Sequence, residues 1–189
     1  MITVYSAICG NKDKPRSDVT CFSAYDRFRD PRLNAKIYKV LAHKFVDAEY
    51  SIWIDGNIRL TVPPKQLVEM MDIYDCAVFT HPERSDIYEE AEFVAKIGKD
   101  KSDIVIEQIN AYRQAGFTKR DLAMCGILVR RHTESIARLN ERWWAEVCRY
   151  SVRDQISFPV VFDGHVKYLP TEPMNGGRYH KRIPHDHRF

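Results

Sequence analysis

The triplet Asp55-Gly56-Asn57 directly follows Tyr50-Ser51-Ile52-Trp53-Ile54, the clearest strand in the sequence. A carboxylate and an amide two positions apart, at the carboxyl end of a buried strand, are hard oxygen donors suited to Mn2+ or Mg2+. A divalent ion held there offsets the negative charge that builds on a leaving diphosphate. Asn57 brings an oxygen without a charge, so weak metal affinity is expected, or positive charge from elsewhere. The same triplet is also an ordinary Asp-Gly turn. Asp154 is a second carboxylate of interest. It could deprotonate a hydroxyl within hydrogen-bond reach, or pair with its neighbour Arg153 as a structural bridge. Arg84, after His81-Pro82-Glu83, could meet a phosphate, or pair with Glu89 or Glu90. Cys125 has no His or Asp partner that the sequence can place, so a thiol nucleophile is not indicated.

The C-terminus adds a charge signal. Residues 178–189 hold four Lys/Arg against one Asp, and three of the seven histidines, His180, His185 and His187. The rest of the chain balances at 25 basic and 25 acidic residues, so the formal net charge of +3 resides in this tail. It reads either as a solvated basic end or as a segment that closes over an anionic ligand such as a diphosphate. The expected organisation is therefore a domain over 1–177 and a basic, His-rich tail over 178–189.

These groups need a scaffold, and 189 residues suffice for one domain with a proper core. Residues 2–9 read as a first strand, not a signal peptide. No run approaches the roughly 18–20 apolar residues of a membrane-spanning helix. Five widely spaced cysteines without a C-x-x-C pair suggest reduced, core-filling thiols in a cytoplasmic protein. Further strands are expected at 19–24, 76–80, 123–129, 158–162 and 165–169. Helices are expected from Pro31, from Pro63-Pro64, over 85–98 and 102–115, and from Thr133, whose hydroxyl can cap it. Alternating strands and helices imply an α/β sandwich with a mainly parallel sheet. Ligands bind such sheets beyond the strands' carboxyl ends, so the loops after residues 9, 54 and 80 are the ones to watch.

Several blocks together carry a family resemblance. They are 34–43 with Tyr50–Ile58, His81-Pro82-Glu83-Arg84 with 87–91, Gly126-Ile127-Leu128-Val129-Arg130-Arg131-His132-Thr133, and Arg153-Asp154-Gln155-Ile156-Ser157-Phe158. In this order they resemble the glycosyltransferase-like domain of plant Golgi, bacterial and viral proteins, a relative of glycosyltransferase family 8. The resemblance covers roughly residues 2–165. It implies a single-domain, Rossmann-like A-type fold with a mostly parallel central sheet. It further implies that Asp55 and Asn57 stand where an Asp-x-Asp stands, with His185 favoured over His180 and His187 to complete a metal site. Lys36 would face the donor diphosphate. Gly126 would let the donor sugar lie against backbone, and Asp154 with Gln155 would lie near sugar and acceptor.

The function these residues imply is sugar transfer from a nucleotide sugar to a hydroxyl acceptor. That acceptor could be a glycan, a lipid-linked glycan or a modified nucleobase of DNA. The alternatives are a nucleotidyltransferase on the same fold, or an inactive nucleotide-binding module, which Asn57 keeps open.

Overall fold

The computed structural model describes residues 1–10 and 13–185. Its elements run β1 (Ile2–Ala7), β2 (Thr20–Phe22), α1 (Pro31–Val40), β3 (Tyr50–Ile54), β4 (Ile58–Leu60), α2 (Pro64–Glu69) and β5 (Cys76–Thr80). Next come α3 (Ile87–Lys96), α4 (Ser102–Gln114), β6 (Ala123–Arg131), α5 (Glu134–Arg149), α6 (Asp154–Val161), β7 (Lys167–Leu169) and β8 (His180–Arg182). The central sheet has six strands in the order β2-β1-β3-β6-β5-β7. β6 runs antiparallel to both of its neighbours, and the remaining pairs are parallel. The sheet is thus mostly parallel, as the alternation of elements implies.

Side chains alternate across the pleat and divide the core between two faces. Tyr5, Trp53, Val78 and Leu128 pack against Ile37 and Val40 of α1, Leu139 and Trp143 of α5, and Phe158 and Phe162. Ile52, Ile54, Phe79, Ile127 and Val129 pack on the opposite face with Leu67 and Met71. A third cluster joins α3 and α4 to Ile156 of α6.

The helix starts obey capping chemistry. Asp30 accepts the Arg32 backbone N–H at 2.9 Å, and Pro31 opens α1. Asp86 accepts two amides of α3, at 3.0 and 2.9 Å, and Thr133 accepts the Ile136 amide of α5. Gly98 and Gly116, both at positive φ, come after α3 and α4 as expected stops.

Two expectations need correction. Residues 158–162 are not a strand: Phe158–Val161 form the second half of α6, and Phe162 caps it. A short apolar run bounded by turns has no periodicity to separate strand from buried helix, and here Ile156, Phe158, Pro159 and Val161 are all buried. Residues 178–185 are also not an appended tail. His180–Arg182 pair antiparallel with β4 as a two-stranded ribbon, with Tyr179 and His180 buried. Arg-Tyr-His-Lys-Arg is charged in composition, and this hides the strand. Of the cysteines, Cys76 and Cys125 are core residues, whereas Cys148 is exposed. Among the described residues, no helix is long and apolar enough to cross a membrane.

Candidate active site

A cleft of about 380 Å³ opens where β1, β3 and β6 end or begin at the sheet's carboxyl edge. It is closed by α1, by the start of α6 and by the segment that leads into and out of β8. Of the loops expected to matter, the one after β3 lines it through Asp55, Gly56 and Asn57, and β1 contributes Ala7. The segment after β5 does not.

Two features of β6 shape the floor. Its pairing with β5 shifts register between Val78 and Phe79, so that Cys125, Gly126 and Ile127 bulge at that step. Bulges re-aim the chain near active sites. Here the Gly126 carbonyl accepts the Asp55 backbone N–H at 2.9 Å, fixing the turn after β3. A Cβ on Gly126 would stand 2.8 Å from Ile58 Cδ1 and 3.4 Å from Asp55 Oδ2. The glycine therefore makes room for the Asp55 carboxylate and the Ile58 side chain.

Buried charges meet above this floor. Asp154, at the first turn of α6, is 3% exposed. Its Oδ1 is 2.8 Å from Lys36 Nζ and its Oδ2 is 2.5 Å from Lys39 Nζ. Lys39 also lies 3.5 Å from Asp55 Oδ1, an oxygen that accepts the Trp53 indole N–H at 2.8 Å. Burial opposes ionisation of Asp154, but the Lys36 and Lys39 ammoniums outweigh it and hold the carboxyl well below the usual range. Burial likewise works against the charge of both lysines. Lys39, facing two carboxylates, is nonetheless raised, whereas Lys36, with one, is lowered. A carboxylate so readily ionised is a weak base. Asp154 is thereby suited to holding two cations in place rather than to the proton transfer expected of it.

Lys39 is the residue that sequence reasoning missed. It stands three positions after Lys36, a spacing that puts both on one helix face. The end of its helix is secured by Arg130, a fully buried guanidinium on β6. Arg130 donates to the Lys39 carbonyl at 2.6 Å, the Val40 carbonyl at 3.2 Å and the Tyr5 hydroxyl at 2.6 Å. The last carbonyls of a helix carry partial negative charge, which suits a cation there.

Gln155 lines the cleft, with its amide donating to the Ala123 carbonyl at 3.1 Å. Arg84 does not line it. Its Nε is 2.6 Å from Glu90, its guanidinium lies over the Phe93 ring, and it reaches His81 at 3.1 Å. The ion-pair reading of Arg84 is the one realised. Of the tail histidines, His180 is core, 3.8 Å from Glu172. His185 reaches the cleft. His187 lies outside the described residues.

The expected metal site fits poorly. Asn57's amide nitrogen is 3.3 Å from His185 Nε2, and His185 Nδ1 is 2.8 Å from Asp13 Oδ2. One oxygen of Asp55 is already taken by Trp53 and Lys39. Among the described residues, no three His, Cys, Asp or Glu side chains gather as metal ligands. A hard divalent ion prefers several charged or carbonyl oxygens at once, and Asp55 offers one free carboxylate oxygen beside a neutral amide.

Open α/β sheets bind ligands in the crevice beyond the carboxyl ends of their strands, and here that crevice is lined by cations. Comparison with known proteins narrows this. Residues 19–172 match the model of the TOD1/MUCI70, glycosyltransferase-like domain, and the chain belongs to that family. The chain is 34% identical over 149 residues to the "Probable hexosyltransferase MUCI70" of Arabidopsis thaliana, covering 72% of this chain and 26% of that protein. It is 28% identical over 163 residues to the "Alkaline ceramidase TOD1" of the same plant, covering 78% of this chain and 34% of that protein. The chain thus spans about a quarter to a third of these relatives' length. Among solved structures, a glycosyltransferase involved in glycosylating the major capsid of PBCV-1 is similar at a TM-score of 0.48 and 10% identity, over 89% of this chain and 81% of that one.

Proposed function

We propose that this domain is a glycosyltransferase that moves a sugar from a nucleotide-sugar donor to a hydroxyl of an acceptor, a glycan being the acceptor favoured here. The observation that carries the reading is the Lys36–Asp154–Lys39–Asp55 chain of alternating charges, set at the carboxyl edge beside a glycine with no room for a side chain. Family membership supports the same reading.

In this reading Asp154 orients the two ammoniums. Lys39 holds one oxygen of Asp55, leaving the other, on the Gly126 side, to accept from a donor hydroxyl of ribose or sugar. The donor diphosphate lies against the cationic wall, where preset charges stabilise a leaving nucleoside diphosphate without reorganising. A hydrolytic reading suggested by the ceramidase relative's name finds less support. Burial, with Asp154 nearby, pushes the Cys125 thiol well above its ordinary value, so it is a poor nucleophile.

Release of nucleoside diphosphate from a panel of nucleotide sugars, with and without glycan acceptors, tests the reading. Acceptor-stimulated release from one donor supports it. Binding of a donor without any transfer would favour an inactive binding module.

A further inference from the structure

The cleft carries more positive charge than its own carboxylates use. Six Lys and Arg side chains line it against two Asp. Four of the six are already matched. Lys36 and Lys39 are balanced by Asp154 and Asp55. Arg32 is held by Asp30 at 2.7 Å and Asp100 at 3.6 Å, and Arg153 faces Glu90 at 3.6 Å.

Lys99 and Arg182 are different. Neither forms an ion pair within 4 Å among the described residues, though Lys99 feels Glu90 at longer range and lies 5.5 Å from the Phe93 ring. Arg182 also has a buried Nε with no acceptor. The two come from distant parts of the chain, Lys99 from just beyond α3 and Arg182 from β8, yet both border the same cleft. Burial lowers the Lys99 pKa, and Arg153, Arg84 and Arg182 add repulsion that Glu90 only partly offsets. Packing like charges together costs free energy unless an anion joins them.

A nucleotide sugar carries one negative charge on each of its two phosphoryl groups, which matches these two unpaired cations. Meanwhile Asn57 and His185, the other expected metal ligands, contact each other, and His185 is bonded to Asp13. Resting on the glycosyltransferase reading, we propose that Lys99 and Arg182 bind the donor diphosphate and take the place of a divalent metal. The guanidinium of Arg182 can engage two phosphoryl oxygens at once, whereas Lys99 supplies a point charge at the cleft mouth. The positive charge that Asn57 fails to help recruit is then supplied by the chain itself.

Isothermal titration of the full chain with UDP, GDP, ADP and CDP, in EDTA and in millimolar Mn2+, tests this. One nucleoside diphosphate should bind in EDTA with an affinity that Mn2+ changes by less than about threefold. Arg182→Gln and Lys99→Gln should each weaken that binding by about tenfold or more. Lys99 lies at the cleft mouth, so its variant isolates binding from folding, and melting curves of both variants are recorded alongside. Binding that requires Mn2+ would overturn the proposal and leave the donor reading standing. Binding in EDTA that folded Lys99→Gln and Arg182→Gln proteins retain in full would overturn the assignment of these residues. No binding under either condition would sink both the proposal and the nucleotide-sugar reading.

Discussion

Lys39 Nζ bridges two carboxylates, 2.5 Å from Asp154 Oδ2 and 3.5 Å from Asp55 Oδ1. One is buried and belongs to α6, and the other is part-exposed at the end of β3. The ammonium therefore couples a structural charge to one that can face a ligand. Lys39→Met leaves Asp154 buried with Lys36 as its remaining cation. A loss of about 3 kcal/mol is expected, or roughly 10 °C in melting temperature for a chain of this size. The double variant Lys39→Met/Asp154→Leu should recover part of it, because Lys36 alone is then left without its carboxylate. Additive losses in the double variant would show that the pair is not coupled.

Asp55→Asn should separate chemistry from folding. The side chain is 39% exposed and its contact with Lys39 is long, so stability should change by no more than about 1 kcal/mol. The indole N–H of Trp53 keeps an acceptor. Turnover should fall by about a hundredfold or more, the scale seen when one preset electrostatic contact is removed. Full activity in a folded Asp55→Asn protein would remove this carboxylate from the mechanism.

The sequence exposes the scaffold better than the wiring. Strand β3 ending on Asp55 was legible because an apolar run stops at a turn triplet. The Thr133-capped helix was legible from its stripe, Ile136, Leu139, Trp143 and Val147. Helix α6 was not, since Ile156–Val161 is apolar but for Ser157 and carries no helical period. Lys36 came from the family resemblance. Lys39 could have been found, three positions further along the same helix, by asking which lysines share a face. Lys99 could not, because its position has no local signal, and Arg182 stood out only as one charge of the basic C-terminal segment. They meet because the loop after α3 and the strand β8 converge on one cleft.

Gly126→Ala tests the crowding behind Asp55. The new methyl group would press on Ile58 Cδ1, the free end of a side chain, and approach Asp55 Oδ2. A modest loss of about 1–2 kcal/mol is expected, as for other overpacked sites. Adding Ile58→Val removes the offending methyl and should restore stability. Activity should stay low in the double variant if the approach to Asp55 Oδ2 matters, and recovery of both together would mean that Gly126 serves packing alone.

His132 gives the fold an acid-sensitive limb. Burial, helped by Arg130 and His43, lowers its pKa to about 4, and its Nε2 lies 2.8 Å from Ser51 Oγ. The unfolded chain takes up this proton near pH 6.5. Between about pH 6.5 and 4 the unfolded state thus binds more protons, and stability falls as pH falls through that window. With the ring only partly buried, the effect should amount to about 1–2 kcal/mol. His132→Gln keeps a partner for Ser51 and should flatten the curve over this range. An unchanged slope would place the titration elsewhere.

Two truncations separate the role of the β8 ribbon from that of the residues beyond it. Deleting 178–189 removes the partner strand of β4 and Tyr179, whose ring is 5.5 Å from that of Phe79. Ile58 and Leu60 would lose their cover, at a cost of about 3 kcal/mol or more. Deleting 183–189 keeps β8 and Arg182. It loses the Ile183 amide bond to the Asn57 carbonyl, 2.7 Å long, and the His185 contacts with Asn57 and Asp13. Stability should then drop by only about 1 kcal/mol. Nucleoside diphosphate affinity should stay within about threefold of the intact chain, because the cations that meet the diphosphate precede the cut. A collapse of affinity in this shorter deletion, with the melting curve preserved, would assign the phosphate contacts to residues after Arg182 and restore the closing segment that the tail's composition suggests.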